Sequence, residues 1–124
     1  MKLSKFSIFV IGMLVIAIAA CSKHEASTLE NLTAAWNSTA IKIDGVASPS
    51  TTTMFLHLQA SNQFEINTNI TPFTQPKSGV WSMNSAGDKL TLAGNIWTIH
   101  HVDGSTLRLE YTLDGKELEI DFKK

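Results

Sequence analysis

From Trp36 to Phe122 the chain alternates apolar and polar residues, and Gly, Asn and Asp interrupt it at short intervals. A period of two marks strands with one buried face. Eight segments fit it: residues 36–44, 53–59, 63–70, 79–84, 89–93, 96–101, 105–113 and 116–122. Between them lie short turn-like connections and two longer loops, 45–52 and 71–78. No helix of any length fits after residue 35.

Turn length fixes which residues of a hairpin face each other, so the pattern can be checked for consistency. Gly94-Asn95 as a two-residue turn sets Leu92 against Trp97 and Leu90 against Ile99. Asp114-Gly115 pairs Tyr111 with Leu118 and Leu109 with Ile120. Val102-Asp103-Gly104 as a three-residue turn pairs Ile99 with Leu107 and Trp97 with Leu109. Ala60-Ser61-Asn62 pairs Leu58 with Phe64 and Leu56 with Ile66, and the connection at Ala86-Gly87 sets Met83 against Leu90 and Trp81 against Leu92. All five hairpins agree on one apolar face. Sequential antiparallel strands that share a buried face close on themselves, because closure removes exposed edges. The prediction is an all-β domain over residues 32–124, an eight-stranded antiparallel up-and-down (meander) barrel.

The first twenty residues follow a different pattern. Lys2 and Lys5 precede Phe6 to Ala20, an uncharged run that closes on Ala17, Ala19 and Ala20. This is the layout of a secretory signal peptide, here expected as a helix over residues 1–20, and the run is shorter than the roughly 20 apolar residues of a membrane span. Ile18-Ala19-Ala20-Cys21 resembles the lipobox of bacterial lipoproteins. That resemblance implies cleavage before Cys21 and lipid (palmitate-type acyl chains) on its thiol and amino group. A lone cysteine cannot form an internal disulfide, and acylation would remove an exposed thiol from an oxidising envelope. Two chains suffice for stable anchoring. Ser22 after the cysteine resembles the signal for an outer-membrane destination, on the periplasmic face or the surface. Residues 21–31 read as the lipidated N-terminus and a polar tether.

Removing the leader takes Lys2 and Lys5 with it and leaves 104 residues with 8 Lys and Arg against 11 Asp and Glu, net −3. That is one small domain, and without a basic cluster nucleic acid is not expected as a partner.

An early Leu-x-x-x-Trp (Leu32 to Trp36), a mid-domain Gly-x-Trp (Gly79-Val80-Trp81), a short hairpin series and a final apolar strand follow in order. Together they resemble the small lipocalin-like domains of bacterial lipoproteins of the Bacteroidetes type, over roughly residues 29–122. The resemblance implies a lipocalin-like barrel and, in its simplest form, a small apolar ligand or lipid. Longer lipocalins carry Gly-x-Trp on the first strand, where this chain has Ala34-Ala35-Trp36.

Little in the chain points to catalysis, a metal or a cofactor. His100 and His101 are adjacent in a predicted strand, so they point to opposite faces and cannot share a metal. The hairpin register puts His101 inward and His100 outward. No serine sits in a nucleophile motif, and the acidic residues fall on turns and outward positions. The expected role is therefore binding rather than catalysis, with no cofactor. Loops on a rigid barrel concentrate function, and the two long loops share one end. Ile70, Trp81, Trp97 and Leu113 are expected just beneath them, with Phe73 between Pro72 and Pro76. Two readings of these residues stand. They line an apolar mouth for a small lipophilic ligand, or they pack the core while Phe73 and the loops dock an envelope protein. The first requires a cavity; the second does not.

Overall fold

The computed structural model describes residues 28–124. The predicted signal peptide, Cys21 and the stretch 22–27 lie outside the described residues. The strands are β1 (Ala35–Ile43), β2 (Val46–Ala47), β3 (Met54–Leu58), β4 (Gln63–Thr68), β5 (Ser78–Met83), β6 (Lys89–Leu92), β7 (Asn95–Val102), β8 (Thr106–Leu113) and β9 (Lys116–Lys123). Each predicted strand is present. The addition is β2, a two-residue return from β1 through Asp44-Gly45, both at positive φ.

All pairings between neighbours are antiparallel, and β1 also pairs with β9 over Asn37–Ile43, which closes the barrel. Every strand except β2 sends side chains inward. About twenty apolar residues are buried, among them Trp36, Trp81 and Trp97, and no polar or charged residue among those described is buried with them.

Three hairpins have the predicted register: Leu58 faces Phe64, Trp81 faces Leu92, and Tyr111 faces Leu118. Two differ. Between β6 and β7 the turn is Ala93-Gly94, with φ of 49° and 86°, so Leu92 faces Asn95 and Trp97 faces Leu90. Positive φ at both central residues matches the right-handed twist of the flanking strands. The prediction had put Asn95 in the turn. Instead its side-chain amide donates to Leu92 O and its carbonyl accepts from Tyr111 Oη, at 3.4 Å each. Because pairing shifts by two residues, the buried face is preserved.

Between β7 and β8 a bulge falls between Ile99 and His101. Ile99 faces Leu109 rather than Leu107, and Val102 faces Leu107. The extra residue inverts the alternation. Val102 therefore packs against the core and His101 is exposed, contrary to its predicted inward position. At this turn Asp103 accepts from the amides of Ser105 and Thr106 at 2.8 and 2.7 Å, while His101 Nε2 lies 2.9 Å from Asp103 Oδ2. Those amides first, and the His101 ring after them, hold the Asp103 carboxyl well below the usual carboxylate range.

Residues 28–32, of which 28–31 are expected in the tether, form a helical turn. Leu32 is fully buried, and its carbonyl accepts the Trp36 indole N–H at 2.9 Å. The Leu-x-x-x-Trp spacing thus has a physical basis: the carbonyl and the indole meet across one turn. Leu58 N–H continues the seal on Ala34 O, and Lys124 Nζ lies 5.3 Å from the Trp36 ring. This short segment stoppers one end of the barrel, called the base below.

Gly79 explains the other motif. It has φ of 147° and faces Phe64 in the register. A Cβ there would come within 3.2 Å of Ala93 Cβ and 3.3 Å of the Phe64 ring.

Candidate functional site

Chain direction puts the 59–62, 84–88 and 103–105 connections at the base. The loops 48–53 and 69–77, with the Asp44-Gly45, Ala93-Gly94 and Asp114-Gly115 turns, form the opposite end, the mouth. The shared end expected for the long loops is therefore present.

These loops are tied to one another. The Asn69 side chain accepts from Thr53 N–H at 2.9 Å and donates to Thr51 O at 2.7 Å, and Thr68 Oγ1 donates to Thr53 O at 2.7 Å. Farther along, Thr74 Oγ1 donates to Asp114 Oδ1 at 3.3 Å, which links the 69–77 loop to the β8–β9 turn. The bonds of Asn69 and Thr68 satisfy backbone groups of Thr51 and Thr53 outside the strands.

Between that loop, the β8–β9 turn and the end of β1 lies a recess of about 110 Å³. Ile43, Ile70, Pro72, Leu113 and Leu118 supply its apolar lining, and Asp114 and Lys116 stand at its polar side. Each apolar member is an inward strand residue or a loop residue at a strand end, so the recess is the unfilled top of the core.

Of the five residues expected at the mouth, Ile70 and Leu113 line this recess together. Phe73 sits on the same loop, half-buried against the core, outside the lining. It is less free than its flanking prolines suggested. Trp81 is not beneath the long loops. Its backbone N–H bonds Asn62 O and its indole N–H donates to Gln59 O at 2.9 Å, both at the base. The short β4–β5 overlap, Gln63–Glu65 against Ser78–Val80, carries it there. Trp97 is buried and stacks on Tyr111, with ring centroids 4.7 Å apart and planes at 20°. Neither indole lines the recess.

Pattern reading missed Ile43, Leu118 and Lys116. The register already made Leu118 the partner of Tyr111, and the Asp114-Gly115 turn makes Lys116 the partner of Leu113. Hairpin arithmetic carried one step to the end of the strands would have found both.

The outer face of β6–β9 carries a row of charges. Lys89 Nζ donates to Thr98 Oγ1, His100 bonds Glu110, and Arg108 bonds Asp121 with Glu119 nearby. His100, ahead of other groups, draws the Glu110 carboxyl below its ordinary range, and the hydrogen bond with Glu110 raises that of Glu117. These groups are exposed or half-exposed, where ion pairs contribute little. Among the described residues, no group of three His, Cys, Asp or Glu is placed to hold a metal ion.

A scan of protein-family models and searches of curated proteins and solved structures return no match to this chain.

Proposed function

We propose that the chain is a lipid-anchored protein of the bacterial cell envelope, held at the outer membrane through Cys21, whose filled barrel serves as a protein-interaction module. It acts by docking, as an inhibitor or an assembly accessory, rather than by catalysis. The observation that carries this reading is the interior. It is occupied by the chain's own side chains, and the mouth recess measures about 110 Å³. Pockets that enclose a drug-sized ligand run to roughly 300–1,000 Å³. An eight-stranded barrel with short strands is close to filled by its own residues. The pinned loops at the mouth suit a rigid docking surface, which loses little entropy on association.

The second reading is the lipocalin-like one, a carrier of a small apolar molecule, and the apolar lining by Ile70 and Leu113 speaks for it. Native mass spectrometry of residues 22–124 separates the two, since every buried core residue lies within 32–122. A clean protein mass is the expected result. A co-purifying mass that weakens in Leu113→Ala, a change in the recess lining, would replace the docking reading by the carrier. The anchor is tested separately: wild type should incorporate an acyl label and Cys21→Ala should not, while its barrel stays folded.

A further inference from the structure

The mouth recess has properties that narrow its occupant. Its volume, about 110 Å³, is below the roughly 150 Å³ of an engineered apolar cavity that takes up benzene, and suits one branched aliphatic side chain. The apolar surface continues beyond the recess. Val46 faces Ile43 in the β1–β2 register, so the two share a sheet face, and Val46 is 69% exposed. An apolar residue this exposed, on the face that turns toward the mouth, extends the same patch.

The polar side is asymmetric. The Asp114 carboxylate keeps its charge but is tied through Oδ1 to Thr74 Oγ1 of the 69–77 loop, whereas Lys116 forms no salt bridge among the described residues. A carboxylate is the complementary group for that ammonium. The chain's own N-terminal segment enters at the base, where Leu32 and Trp36 fix it. The mouth therefore lies at the end of the barrel opposite the one where residues 28–34 enter.

We infer that the recess receives an aliphatic side chain of a partner protein, with a carboxylate beside it against Lys116. A C-terminal leucine, isoleucine or valine presents this pair of groups. The inference rests on the interaction-module reading and gives it a site.

The probe is N-acetyl-leucine, titrated into ¹⁵N-labelled residues 22–124 and followed by amide chemical shifts. Saturable shifts centred on Ile43, Ile70, Leu113 and Leu118 are expected, with a Kd of about 1–10 mM for so small a fragment. N-acetyl-leucinamide, which lacks the carboxylate, should bind about threefold more weakly, and Lys116→Ala should remove that difference. Ile70→Trp, which fills the recess, should abolish the shifts. Lys116 is exposed, so its variant stays informative if the Trp variant fails to fold.

Three results would overturn the inference. One is the absence of saturable shifts at those amides. Another is equal affinity for acid and amide. The third is shifts that change on dilution of the protein alone, which would make a second copy the occupant. Failure here leaves docking through another surface intact. That broader reading falls only if native mass spectrometry finds the co-purifying ligand.

Discussion

The two ends of this barrel are sealed by different means. At the base a helical turn inserts Leu32, and two indole N–H groups, from Trp36 and Trp81, donate to the backbone carbonyls of Leu32 and Gln59. Apolar bulk and polar ends are satisfied in the same side chain. The mouth is held from outside instead, by Asn69, Thr68 and Thr74 linking loop to loop, and its apolar top is left partly uncovered. Stability therefore concentrates at the base, and surface available for contact remains at the mouth.

Substitutions should reproduce that difference when unfolding by urea is followed. Trp36→Ala removes a fully buried indole and the bond to Leu32, and should lower stability by about 4 kcal/mol. Gly79→Ala forces a Cβ toward Phe64 at a positive φ and should lose about 2 kcal/mol. In the opposite direction, Ala93→Gly at the mouth relieves a left-handed alanine and should gain about 1 kcal/mol. If Gly94-Asn95 were the turn instead, this change would be neutral or harmful. Phe73→Ala, half-buried, should lose less than about 2 kcal/mol, well below a core aromatic.

The smallest effect is one of pH. The Asp103 carboxyl is held below its ordinary value in the folded chain, so the unfolded chain takes up that proton first as pH falls. Its contribution is complete above the ordinary carboxylate value and declines as pH drops below about 4. Asp103→Asn should lower the neutral plateau and flatten the acid limb, so that the variant and wild-type curves converge at low pH. An unchanged acid limb would show that the Ser105 and Thr106 amides do not stabilise the charge.

The alternation from Trp36 onward made the barrel legible, because one buried face leaves a period of two. The hairpins at Asp114-Gly115 and at the loop ending in Asn62 also yielded their register, since those residues accept positive φ readily. Ala93-Gly94 was hidden because alanine carries no such preference, and the Gly-Asn pair one step later looked like the better turn. The bulge before His101 left no composition signal, and it misplaced one histidine. The site was half legible. Ile70 and Leu113 follow from strand parity, but the descent of Trp81 to the base depends on a β4–β5 overlap of three residue pairs that no local pattern encodes.

The stopper also determines how the domain would carry mechanical load. A chain drawn by its N-terminus while a partner grips the mouth is under tension along the barrel axis. The pull reaches Leu32 and the Trp36 indole first and then enters β1, which lies between β3 and β9 and bonds to both. Tension along a strand bonded on two sides is shared by many hydrogen bonds at once instead of opening them one after another. A barrel of this design, drawn by its N-terminal segment, resists best along its own axis.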